Sequence, residues 1–168
     1  MAEFEAGAQL CKVTTTHDQV EDRLRLAGED GEGNALVLWI TQRLANRLIE
    51  ALVGWLHAED AGAGGEIGQA WRQDEALLQW QGGAPVEPGI AAPEWLVETI
   101  DLGRGLDRYT LTFRGCGGGM AVLPLSGQEL RQWLAIVHGL YRQAGWPCQI
   151  WPAWFENPSP GRAAQAVH

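Results

Sequence analysis

Lysine is almost missing from this sequence, with Lys12 standing alone against eleven arginines. Together with the many alanine, glycine and proline residues, that bias is the mark of a GC-rich coding sequence and leads to the expectation of a bacterial source. Positive charge is short overall, the net charge being −9. Unaided binding to a phosphate backbone needs a basic stripe that releases counterions, so nucleic acid is not an expected partner. Arg43 and Arg47 share a helix face at i,i+4 spacing, and Arg131 and Arg142 lie on a second helix. Scattered helix arginines of this kind read as a solvated surface.

Cysteine is equally sparse. Cys11, Cys116 and Cys148 are isolated and odd in number, with no CxxC spacing, which leaves no zinc or redox motif and reads as free, buried thiols in a reducing compartment. No apolar run approaches the ~18 residues of a membrane span. The opening Met1-Ala2-Glu3-Phe4-Glu5 has neither the basic region nor the apolar stretch of a secretory leader. The expected compartment is the cytoplasm, without a membrane.

Motifs that carry chemistry are also lacking. Gly115-Cys116-Gly117-Gly118-Gly119 has the glycines of a phosphate cradle, but a P-loop joins a strand to a helix and ends in Gly-Lys-Ser/Thr. Here the glycines join two strands with no lysine following, so they read as a hairpin connection. Cys116 has no histidine at a spacing that would lower its pKa. No Gly-x-Ser-x-Gly elbow occurs. Glu94 and Glu98 share a strand face but lie ~13 Å apart, too far for a glycosidase pair. His17, with Asp18, Glu21 and Asp22, is the one mixed histidine/carboxylate cluster. It spans a turn, so these side chains diverge instead of converging on a metal. His57 ends a helix, where a cation suits the dipole, and His138 lies mid-helix among apolar residues as a core or interface histidine. The reading names no catalytic residue, no metal ligand and no cofactor, and it leans away from an enzyme.

What is present is a pattern that occurs twice, an alternating apolar strand running into a capped amphipathic helix. The first copy is Ala35–Ile40, then Thr41 as N-cap, then a helix with Leu44, Leu48, Leu52 and Trp55 on one stripe. The second is Met120–Leu125, then the capping box Ser126-Gly127-Gln128-Glu129, then a helix to about Ala144 with Gly145 as its stop. Each follows hairpin-like strands: Leu10–Thr16 and Val20–Ala27 before the first, Glu94–Asp101 and Arg108–Arg114 before the second. Residues 67–81 read as a short helix and an irregular turn. The order is β-β-β-α-(α)-β-β-β-α, an α+β protein with an antiparallel β-sandwich or sheet of about six strands, a mid-chain helical insertion and a C-terminal helix. Residues 9–155 form one domain, 1–8 a frayed N-terminus and 156–168 a disordered tail.

Two sets of residues are candidates for recognition. Leu130, Leu134, Val137 and Tyr141 recur at spacings of four, three and four, a candidate dimer seam shorter than a full coiled coil. Among the nine tryptophans, Trp146, Trp151 and Trp154 crowd a segment that also holds Pro147 and Pro152. That segment either packs back as an extended flap or serves as an interaction patch on a neighbouring subunit, since monomers rarely display large apolar areas.

The arrangement resembles the head-domain superfamily of the DNA end-joining scaffold and centriole cartwheel proteins. The resemblance is one of topology, over about residues 10–145. It sets Val20–Ile40 as the early strands, Thr41–Ala58 as the inserted helix, Trp95–Leu125 as the later strands and Gln128–Ala144 as the stalk. It implies a small antiparallel sandwich and a helix that leaves the last strand to form a parallel dimer. The family's stalk is a long coiled coil, whereas this helix stops near Gly145, and no functional residue carries over. The expected function is a non-catalytic, homodimeric structural or interaction module, with an unidentified protein as a further partner. The alternative is a small-ligand-binding protein or enzyme with a Trp-lined pocket bracketed by arginines.

Overall fold

A computed structural model of the chain describes residues 7–59 and 64–156. The frayed start expected over 1–8 and the tail expected over 156–168 lie outside the described residues except at positions 7, 8 and 156. The chain divides into two compact units, one made of Met1–Ala45 and Gly83–Gly127, the other of Asn46–Gly82 and Gln128–His168.

The first unit is a closed barrel of six strands, in the order β1 (Ala8–Asp18), β2 (Arg23–Asp30), β3 (Ala35–Thr41), β4 (Glu94–Gly105), β5 (Arg108–Gly115) and β6 (Met120–Ser126). Alternation sets the faces: in β5, Tyr109, Leu111 and Phe113 are at most 2% exposed, whereas Thr110 and Thr112 between them are half-buried. Strands pair antiparallel within each triplet. The triplets join through two short parallel seams, Val37–Trp39 against Glu94–Leu96 and Ala8–Gln9 against Ala121–Val122.

The closed barrel corrects the expected sandwich or open sheet; the six strands, the mid-chain helices and the C-terminal helix are present. Alternation along a strand records which face is inward but not whether the sheet closes. Closure here rests on seam pairs between segments far apart in sequence. Two glycines make room for it. A Cβ at Gly7 would lie 2.7 Å from the Met120 side chain, and one at Gly115 would lie 2.3 Å from the Trp95 ring. Trp95 also covers Gly119, where a Cβ would meet the indole at 2.9 Å. The glycine-rich run is thus a hairpin connection, as its composition predicts, with Gly115 N–H donating to Gly119 O at 2.9 Å and the Trp95 ring lying against its glycines.

The repeat seen in the sequence becomes a duplication with a fixed offset. β2 and β5 start at Arg23 and Arg108, β3 and β6 at Ala35 and Met120, so each counterpart lies 85 residues on. Register agrees: Leu26 pairs with Leu38, and Leu111 with Leu123. β1 and β4 carry a bulge at the same place, between Leu10 and Lys12 and between Val97 and Thr99. That bulge also breaks the alternation assumed to put Glu94 and Glu98 on one face. Even the left-handed residues repeat, with Asp22 at φ 49° and Asp107 at φ 55°, and Gly33 at φ 87° and Gly118 at φ 83°. Aspartate is one of the few side chains that reaches this region at modest cost.

The second unit is helical. It holds α1 (Gln42–Glu59) from Asn46, α2 (Gly65–Leu78), α3 (Gly127–Ala144) from Gln128, and the short α4 (Ala153–Glu156). The duplication continues here, since Leu48, Ile49, Leu52 and Leu56 of α1 and Trp133, Leu134, Val137 and Tyr141 of α3 stand 85 apart and are all buried. Gly145, at φ 71°, ends α3 with Trp146 N–H on Tyr141 O at 3.0 Å, the helix stop read from the sequence.

Leu111, 0% exposed in the barrel, tests the packing. Leu111→Ala is expected to lower unfolding free energy in urea by about 2–5 kcal/mol. Asp22→Val and Asp107→Val, at matched left-handed positions, are each expected to cost about 1–2 kcal/mol, and by similar amounts.

Candidate functional site

The four residues of the expected seam, Leu130, Leu134, Val137 and Tyr141, are each 0% exposed in the single chain. Trp146, Trp151 and Trp154 are 3–6% exposed. The tryptophan segment is therefore packed back on its own chain, one of the two arrangements the sequence allowed. Its rings interlock: Trp146 and Trp151 meet Tyr141 edge-on at 5.0 and 5.4 Å between centroids, and Trp154 stacks on Phe155 at 4.3 Å. His138 lies in the same cluster, 4.9 Å from Trp151. It is the core histidine that its apolar surroundings predict.

Tyr141 is held there by its hydroxyl, which donates to Asn46 Oδ1 at 2.7 Å. Burial pushes its phenol well above the usual tyrosine range, and the charges of Cys148 and Glu50 push the same way.

The surface that remains lies on α2, and it is built inside out. Ile67, Trp71 and Leu78, at i, i+4 and i+11, fall within about 40° of helix arc, and they are 84%, 65% and 72% exposed. Trp80, just beyond the helix end, is 55% exposed. The opposite face is buried and largely polar, with Gln69 at 2% and Gln73 at 1%.

Those glutamines tie α2 to its neighbours in the helical unit. Gln69 Nε2 donates to Leu56 O of α1 at 2.9 Å, and Arg131 Nη2 of α3 donates to Gln69 Oε1 at 2.8 Å. Gln73 Nε2 donates to Arg131 O at 2.8 Å, and Gln132 Nε2 donates to Ala76 O at 2.8 Å. Arg131 itself is 6% exposed, with its guanidinium 5.5 Å above the Trp154 ring. A buried hydrogen-bonded network of this kind fixes one orientation of the helix, because any rotation leaves polar groups unpaired.

The sequence carries both the apolar spacing of α2 and its glutamines. A stripe of Ile, Trp and Leu reads by default as a buried face, and only the polar pairing across α2 and α3 reveals the opposite.

The other polar candidates resolve into turn architecture. Asp18 Oδ1 accepts from Val20 and Glu21 N–H at 2.9 Å each, and His17 Nε2 lies 3.0 Å from Asp22 Oδ1. Among the described residues no group of three or more His, Cys, Asp or Glu could hold a metal ion, and no helix is long and apolar enough to cross a membrane.

Inside-out packing has a measurable consequence. Gln69→Ala removes two buried partners at once and is expected to cost about 2–4 kcal/mol, whereas Trp71→Ala is expected to cost the monomer less than about 0.5 kcal/mol, both by urea unfolding at dilutions where the chain is monomeric. The raised Tyr141 pKa adds a pH dependence. The unfolded chain releases this proton near pH 10 while the folded chain retains it, so the contribution of Tyr141 to stability is constant below that pH and falls above it. Tyr141→Phe is expected to flatten that alkaline decline in a pH series of melts. No family model matches this chain, and no curated protein or solved structure matches it.

Proposed function

We propose that the chain is a non-catalytic, homodimeric interaction module of the bacterial cytoplasm, joined to a second copy through the outer face of α2. The observation that carries this reading is the inversion of α2, which exposes Ile67, Trp71 and Leu78, with Trp80 just beyond its end, while Gln69 and Gln73 are buried. Solvent alone would favour the opposite rotation, so a helix locked this way presents its apolar face for something to cover.

Size and spacing support a second copy as that cover. Ile67, Trp71, Leu78 and Trp80 leave roughly 600 Å² uncovered per copy, so two copies reach about 1,200 Å², the lower bound of a specific interface. A two-fold interface must be self-complementary. In an antiparallel α2 pair with Ile67 opposite Leu78, Trp71 lies within a turn of its own mate, and Glu66 and Glu75 face Gln79 and Ala70. No carboxylates oppose one another. The closed barrel is not the antiparallel sandwich that the likeness to the head-domain superfamily implies, and the dimer proposed here uses the inserted helix in place of a stalk.

A second reading, a small-ligand site, draws support from three polar atoms. Among the described residues, Trp151 Nε1, Trp154 Nε1 and Gln73 Oε1 are buried with no hydrogen-bond partner, and Trp154 lies under the Arg131 guanidinium. A metabolite thermal-shift screen tests it; a binder lost in Trp154→Phe is the expected result.

Sedimentation velocity tests the dimer. The native chain is expected to sediment as a dimer, and Trp71→Glu is expected to raise the dimer dissociation constant about 30-fold or more with unchanged circular dichroism. Mixing Ile67→Cys and Leu78→Cys chains is expected to give a mixed disulfide if the helices run antiparallel. A native chain that stays monomeric at every concentration overturns the proposal.

A further inference from the structure

β4 offers an open strand edge, and the duplication supplies its counterpart on β1 for comparison. Only Glu94, Trp95 and Leu96 of β4 pair with β3, while Val97–Gly105 pair with β5 on one side alone. Among the described residues no strand takes up the other side of that stretch, about 30 Å of backbone. Unpaired N–H and C=O groups in such a row are a template for an added strand.

The counterpart stretch of β1 has a segment of this chain lying against it, held through a side chain. The extended segment before β4 crosses β1, burying Val86 to 5% exposure, and Val86 N–H donates to Thr14 Oγ1 at 2.9 Å. Thr14 pairs with Ala27 of β2, and Asp101 pairs with Thr112 of β5. Ala27 and Thr112 are 85 apart, so Asp101 occupies in β4 the place of Thr14 in β1. Asp101 is likewise an acceptor, steadied by Arg114 Nε, which donates to its Oδ2 at 2.5 Å. The coverage differs accordingly: Thr14 is half-buried and Thr15 buried, whereas Asp101 is exposed and Leu102 only half-buried.

We infer that the β4 edge binds an extended segment of another protein, laid as the chain's own Ala84-Pro85-Val86-Glu87-Pro88 lies on β1. The segment's backbone N–H is taken by the Asp101 carboxylate. A branched apolar residue beside that N–H corresponds to Val86, and the half-buried Ile100 and Leu102 supply apolar surface along the same edge. Charge selects the segment further. Glu98 is exposed at the bulge, whereas Asp101 is already paired with Arg114, so Glu98 is the charge that calls for a basic residue in the segment where Val86 is followed by Glu87 in this chain. This inference stands on the barrel alone and does not depend on the dimer proposed above.

Two nine-residue peptides test it on the full chain by backbone amide chemical shifts. One has the sequence of residues 82–90, Gly-Gly-Ala-Pro-Val-Glu-Pro-Gly-Ile, and the other is the same peptide with Glu87→Lys. The lysine peptide is expected to shift amides of Val97–Gly105 and leave those of Lys12–Asp18 in place, binding at least about tenfold tighter than the glutamate peptide. In a Glu98→Lys protein that order of preference is expected to reverse. Absence of β4 shifts with both peptides, or shifts centred on α2 or β1, overturns the inference. Concentration-dependent β4 shifts without peptide also overturn it, in favour of a second copy on this edge.

Discussion

Closure of the barrel at two parallel seams is the constraint on which the remainder of the fold rests. Each three-stranded meander is competent to pair within itself, and neither can cover its own edge. The seams resolve this by joining the start of β4 to β3 and the start of β1 to β6. Parallel partners cannot be linked by a tight turn, so the chain must leave the barrel between β3 and β4. The excursion that contains α1 and α2 is the connection that this geometry demands. The seams are short, which is why the far ends of β1 and β4 extend beyond them as edges.

Duplication at a constant offset explains why so much of the molecule can be read in pairs. The same arginine opens β2 and β5, the same left-handed aspartate turns each hairpin, and the same bulge bends β1 and β4. Where the halves differ, function is the natural place to look. The first half carries α2, with an apolar outer face; the second carries a compact aromatic cluster around Trp151 and Trp154. Among the described residues β1 has an overlying segment and β4 does not. Both surfaces discussed above arise from departures between the halves.

The strands, the two long helices and the helix stop at Gly145 were legible because they depend on local periodicity and capping. Closure was not, since alternation in Arg108–Arg114 is the same in a sandwich and in a barrel. The seam expected along Leu130, Leu134, Val137 and Tyr141 shows a related limit. Periodicity marks an apolar stripe without saying whether the chain itself or another molecule covers it, and these four are buried within the chain. For α2 the same limit applies with opposite sign. Gln69 and Gln73 find their partners on Arg131 and Leu56, 13 to 62 residues away, a relation invisible to any local window.

The anchoring of α2 gives that helix an unusual thermal character. Apolar burial weakens on cooling, whereas the amide and guanidinium hydrogen bonds that hold Gln69 and Gln73 do not draw on it. Chilling therefore loosens the barrel's apolar packing more than the grip on α2. The outward Ile67, Trp71 and Leu78 thus hold their orientation in the cold, while the apolar contact they offer weakens there with the rest of the hydrophobic packing.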